Sequence, residues 1–246
     1  MRNWIDKSKL NYKNLSSNPN MIEYLMENFD LIEWNSLSSN PNAIKILEAN
    51  QNKINWFLLS SNPNAEYLIK NNLNKINWNM LSSNTNMEII KILKNNPDKI
   101  NWYLLSANPS AIEILQNNID KIKWNFLSQN PNAIKILKKY PNKIAWALLS
   151  ANPNAIELLI ENPNKINWYS LSSNSNPLAV KILENNIDKI NWYILSANPS
   201  AVELLRQNQD LINWYIFSGN SNGIELLENN IDKVDWSMLS TNINIK

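Results

Sequence analysis

The chain contains no cysteine and no histidine. The first absence rules out disulfides, thiolate nucleophiles and cysteine metal sites, and it favours an intracellular setting. The second removes the commonest general base and metal ligand, so any acid–base chemistry would rest on carboxylates. Only two glycines are present, Gly219 and Gly223, which leaves little of the positive-φ freedom that tight hairpins require and turns the reading away from an all-β fold. No apolar run approaches the roughly 18 residues of a membrane span, and the N-terminal MRNWIDKSKL lacks the apolar centre of a signal peptide. The formal charge is only +2, with acids and bases interspersed, so composition does not single out nucleic acid or an anionic membrane as partner.

What the chain does have is a period. Tryptophan recurs at Trp34, Trp56, Trp78, Trp102, Trp124, Trp146, Trp168, Trp192, Trp214 and Trp236, and Tyr12 holds the same place one period earlier. The spacing is 22 residues, except that Trp78 to Trp102 and Trp168 to Trp192 span 24. Both long copies carry their extra pair at the same point, SNTNMEIIKIL against SNSNPLAVKIL, and the copies that follow them nearly coincide. A block of four copies duplicated whole explains this. Short fixed periods mark arrays in which each copy packs on its neighbours, so residues 1–246 read as one repeat domain, with 1–9 as an N-terminal cap and 10–246 as tandem copies.

The copy from Asp98 to Ile119 is representative. Asp98 and its counterparts, among them Asn52, Asn142 and Asp188, are expected to cap a first helix, A, running to Ser106. Asn108-Pro109 then places a capping side chain before a proline at the first position of a second helix, B, which ends near Asn117-Asn118. At 100° per residue Ile100, Trp102, Leu104 and Leu105 share one arc of helix A, while Lys99 and Tyr103 share the other. Ala111, Ile112, Ile114 and Leu115 form the apolar arc of helix B. Helices of about two turns are marginal alone and depend on stacking. The expected fold is an all-α solenoid of about eleven two-helix repeats. A leucine-rich horseshoe shares the period, but the alternating strand pattern is missing.

The string from Ile100 to Leu115, with its Trp, Leu-Ser, Asn-Pro and Ala-Ile landmarks, resembles short Trp and Asn-Pro repeats in predicted proteins of giant DNA viruses of algae and amoebae. The resemblance extends from about Leu10 to Asn242, with Thr85, Ser175 and Ser221 replacing proline and Tyr12 replacing tryptophan. It implies a helical repeat protein of a host-cell cytoplasm or a virion, and it brings no activity with it.

A tryptophan repeated on the apolar arc of each copy is what a solenoid core requires, although aromatic ladders also stack bases. Ser106 and Asn108 recur throughout and are expected to satisfy the backbone between the helices. The position after tryptophan is different, because it varies and faces outward. It holds Phe57, Tyr103, Tyr169, Tyr193 and Tyr215, with asparagine, alanine or serine elsewhere. One turn earlier stand lysines such as Lys99, Lys165 and Lys189. These eight residues are the candidate partner-binding surface, a stripe of rings and cations suited to a protein or peptide, with single-stranded nucleic acid as the alternative. No paired carboxylates, phosphate loop or metal-ligand spacing is evident, so no cofactor is expected and the function reads as non-enzymatic. The last copy stops at Lys246, before helix B. Met238 and Leu239 are therefore expected to lie partly uncovered and to be sealed by another molecule, through end-to-end self-association or a partner.

Overall fold

The computed structural model describes residues 2–246; among them all regular structure is helical and no strand occurs. The chain is an all-α solenoid of tandem two-helix copies. Its residues gather into two compact units, Met1–Leu31 with Trp146–Lys246, and Ile32–Ala145.

The copy of Trp102 shows how the local sequence folds. A 3-10 turn, Pro97–Lys99, is followed by extended backbone at Ile100, and helix A spans Trp102–Ala107. The cap is therefore Asn101, whose side-chain oxygen accepts from the backbone N–H groups of Tyr103 at 3.0 Å and Leu104 at 3.2 Å. This corrects the expectation that Asp98 caps helix A. Asp-Lys-Ile-Asn holds two capping residues three apart, and starting the helix at the second lets Ile100 drop into the core as an extended residue. Asn55, Asn77, Asn191 and Asn213 cap in the same way. Helix B opens as a 3-10 turn, Pro109–Ala111, capped by Asn108, and continues as an α-helix over Ile112–Gln116. In the two long copies the extra pair converts this into a continuous helix, Met87–Lys94 or Pro177–Glu184, capped by Asn86 or Asn176.

The deepest layer is not tryptophan. Leu105, Ser106, Ala111 and Leu115 are fully buried, whereas Trp102 and its counterparts are half-buried. They lie at the seams between copies. In several copies the next copy's lysine closes the seam, its Nζ 5.0 Å from the ring centroid for Lys75 over Trp56, 4.5 Å for Lys189 over Trp168 and 4.6 Å for Lys233 over Trp214.

Serine and asparagine form a buried spine. The Ser106 hydroxyl donates to the Trp102 carbonyl at 2.7 Å and accepts the Lys123 backbone N–H of the next copy at 3.0 Å. Asn108 Nδ2 donates backward to the carbonyls of Ser82 at 3.1 Å and Asn84 at 2.9 Å, while its Oδ1 accepts from Ser110 N. The Ser106 and Asn108 pair thus satisfies its own helix ends and also bonds to both neighbouring copies, a wider role than closing the gap between helices A and B.

The same bonds join the first copy to the last. The Asn11 backbone N–H donates to Ser240 Oγ at 2.8 Å, and Asn18 Nδ2 donates to the carbonyls of Ser240 and Asn242 at 3.2 and 3.0 Å. Lys9 lies over Trp236, Trp4 packs against Trp236 with centroids 6.3 Å apart, Arg2 reaches Glu228, and Lys246 pairs with Glu23. Leu239 and Ile245 are fully buried. Met238 remains half-exposed, but for Leu239 the expectation of an uncovered last copy, sealed by another molecule or by end-to-end self-association, is thereby corrected. The first copy occupies that surface, and the residues before Leu10 cover the last copy's tryptophan in addition to preceding the first.

Candidate interaction surface

Starting helix A at Trp102 places the following residue, Tyr103, in its first turn and pointing outward, because Leu105 and Ser106 must face the core. Tyr103 is 54% exposed, and Phe57, Tyr169, Tyr193 and Tyr215 lie between 52% and 59%. Tyr169, Tyr193 and Tyr215 stand in three consecutive copies of one compact unit; Phe57 and Tyr103 belong to the other. Rings held this far out by helices whose termini are bonded into a spine are fixed in position and open to contact.

The lysines are placed differently from the stripe that helical periodicity suggests. Lys99, Lys165 and Lys189 end the 3-10 turns Pro97–Lys99, Pro163–Lys165 and Ile187–Lys189, separated from helix A by extended backbone. Lys99 pairs with Asp98 at 3.3 Å, and Lys189 turns onto Trp168 of the preceding copy. Lysine and tyrosine therefore do not share one helix face. The cation that does meet Tyr103 is Lys123, with Nζ 4.9 Å from the ring centroid. Lys123 occupies the cap position of the next helix A but makes no side-chain cap, which leaves its ammonium free to reach the ring. Phe126 packs edge-on against the same tyrosine, with centroids 5.5 Å apart.

Helical periodicity puts the row two residues after tryptophan, Leu104 among it, on the core arc, and the structure corrects this by leaving the row half-exposed. Ile194 and Ile216 are half-exposed there, and with Ser173, Tyr193, Ala197 and Pro199 they line an apolar groove of about 300 Å3. The signal was present as the uninterrupted WYIL and WYIF, where an apolar residue follows tyrosine without a core place to fill. Asparagines mark other outward positions: Asn35 Oδ1 accepts from Asn55 Nδ2 at 2.9 Å, and Asn79 Oδ1 from Asn101 Nδ2 at 3.3 Å.

Helix B presents a different surface. Lys70 bridges Glu66 and Glu88 of successive copies, Lys94 reaches Glu113 at 2.6 Å, and Arg206 lies between Glu203 and Glu225. The hydrogen bond and charge of Lys94 hold the exposed Glu113 carboxyl below its ordinary value. Such pairs are weak in water and describe a solvated face. Among the described residues no cluster of three or more His, Cys, Asp or Glu could hold a metal ion, and no helix is long and apolar enough to cross a membrane. No protein family, curated protein or solved structure matches the chain.

Proposed function

We propose that the protein is a non-enzymatic scaffold that binds a protein or peptide segment across its helix A surface. The observation that carries this reading is the run of Tyr169, Tyr193 and Tyr215 beside the apolar groove of Tyr193, Ile194, Pro199 and Ile216. Tyrosine supplies contact area at low entropic cost, and a groove of this kind accepts an apolar side chain. Repeats that share a spine and vary at the outward position have a structural frame and a variable reading surface, the division that a binding array needs. We propose that this scaffold acts in a giant virus or its host cell, a reading that the sequence resemblance supports.

Changing Tyr169, Tyr193 and Tyr215 to Ala together should abolish partner capture from the native host and leave the helical circular-dichroism spectrum and thermal midpoint within error of the parent's. Undiminished capture by the folded triple variant would remove the tyrosine row from the function. A second reading, a single-stranded nucleic-acid binder, draws on Tyr103 between Lys123 and Phe126, since ring and cation together suit a base and its phosphate. Tight binding of a single-stranded oligonucleotide that falls steeply with salt would favour it.

A further inference from the structure

One copy departs from the pattern where the others agree. At the end of helix B nearly all copies carry an asparagine whose Nδ2 donates to the carbonyl four residues earlier, as Asn50 does to Ile46, Asn118 to Ile114 and Asn162 to Leu158. The copy of Trp124 has Tyr140 instead. A phenol cannot replace that local bond; the ring lies 5.1 Å from Trp124 and remains 38% exposed. The same copy breaks the charge pattern. From Lys121 to Ala155 the chain has six lysines and no acid. Four of them, Lys123, Lys135, Lys139 and Lys143, make no ion pair among the described residues; on other helices B Lys45 and Lys181 are each single unpaired lysines, and Lys70, Lys94 and Arg206 are paired, so Ile134–Lys139 is set apart by carrying two such lysines together.

Lys135 and Lys139 stand four apart on Ile134–Lys139, so they share a face, where like charges destabilise a helix. The helix dipole favours Lys139 in the last turn but disfavours Lys135 in the first. With Gln116, Ile119, Ile136 and Tyr140 the two lysines line a groove of about 360 Å3. Its floor is apolar, through Ile119 and the buried Ile136, and its rim is cationic.

We infer that this groove binds an acidic peptide segment bearing an apolar side chain. The carboxylates meet Lys135 and Lys139, the apolar group seats on Ile119 and Ile136, and Tyr140 packs over it. A phosphodiester strand needs a continuous basic path, and the preceding helix B, Ile112–Gln116, carries Glu113 and no lysine, so charge complementarity favours a short acidic segment. The inference rests on the scaffold reading but assigns a separate surface and a partner chemistry.

The test is fluorescence anisotropy with a short labelled peptide alternating glutamate and leucine, a lysine-for-glutamate counterpart, and single-stranded oligothymidylate. The acidic peptide should bind saturably and weaken with salt, and the lysine peptide should not bind. Lys135→Glu with Lys139→Glu should weaken the acidic peptide by about tenfold or more. Tyr140→Asn restores the carbonyl bond of the other copies, so it should also weaken binding while the thermal midpoint stays level or rises. That combination separates a binding role from a structural one. Absence of binding, equal binding by the folded charge-reversed variant, or tighter binding of oligothymidylate would overturn the inference. The triple alanine variant at Tyr169, Tyr193 and Tyr215 should still bind the acidic peptide, and its failure to do so would also overturn a separate site. Failure of the acidic peptide together with intact, tyrosine-dependent partner capture would remove this groove alone and leave the scaffold reading standing.

Discussion

At the residue scale, the core positions are occupied by matched pairs. Leu105 and Ala111 have counterparts through the array, but the copy of Trp214 carries Phe217 and Gly223 in their places. Phe217 is fully buried and meets Trp214 edge-on at 5.7 Å. A Cβ on Gly223 would come within 2.5 Å of Phe217 Cζ, and Gly223 has an ordinary φ of −84°. Space, not backbone freedom, is what this glycine supplies. Gly223→Ala should therefore cost about 1–3 kcal/mol as an overpacked core. Adding Phe217→Leu should recover most of it, because the pair then matches the other copies. Chemical denaturation of the two single variants and the double variant gives the coupling; additive losses would show that the two residues do not share one site. Periodicity made both substitutions visible in the sequence, though not their contact, since only the fold brings positions six apart into one layer. Tryptophan's place is less legible for a related reason. Helical periodicity placed it on the apolar arc correctly, but an arc does not distinguish a copy's interior from the seam, where Trp168 needs the ammonium of Lys189 to cover it.

At the scale of the element, two-helix copies of this length were legible in the sequence, and the start of helix A was misplaced by three residues. Asp98 and Asn101 are both good caps, and the choice between them depends on whether Ile100 is helical or extended, which tertiary burial decides. The distinction is measurable. Asn101→Ala should cost about 1 kcal/mol, the usual worth of a side-chain cap, while Asp98→Ala should leave stability nearly unchanged. The reverse order in thermal or urea unfolding would make Asp98 the cap. The later start of helix A also moves the lysines off the tyrosine face. Counting back one turn from Tyr103 reaches Lys99 only if the intervening residues are helical, and Ile100 has ψ 126°. The outward direction of the tyrosines survived because Trp102 and Tyr103 lie within helix A under either assignment.

At the scale of the molecule, chain order indicates which copies are consecutive but says nothing about what meets the first and the last. The materials for that junction were in the sequence all the same. The first copy carries Asn11 and Asn18, whose equivalents bond backward to a preceding copy, and the last carries Ser240 and Asn242, whose equivalents are bonded by a following one. In an array with free ends, terminal copies fray, and substitutions there have little effect on global unfolding. Here the first copy makes to the last the bonds that an interior copy makes to the one before it, and a comparison tests it. Asn18→Ala removes two bonds to the Ser240 and Asn242 carbonyls, and Asn130→Ala removes the equivalent bonds to Ser106 and Asn108 in the other compact unit. Each strands two buried carbonyls at about 1–3 kcal/mol apiece, so both variants should lose about 2–6 kcal/mol. The costs should agree with each other, and the amide protons of Leu15 and Ser16 should exchange as slowly as those of Leu127 and Ser128 in the parent. A negligible cost for Asn18→Ala together with fast exchange in the first copy would mean that the junction is open in solution, and would return the last copy's apolar end to the list of surfaces available to a partner.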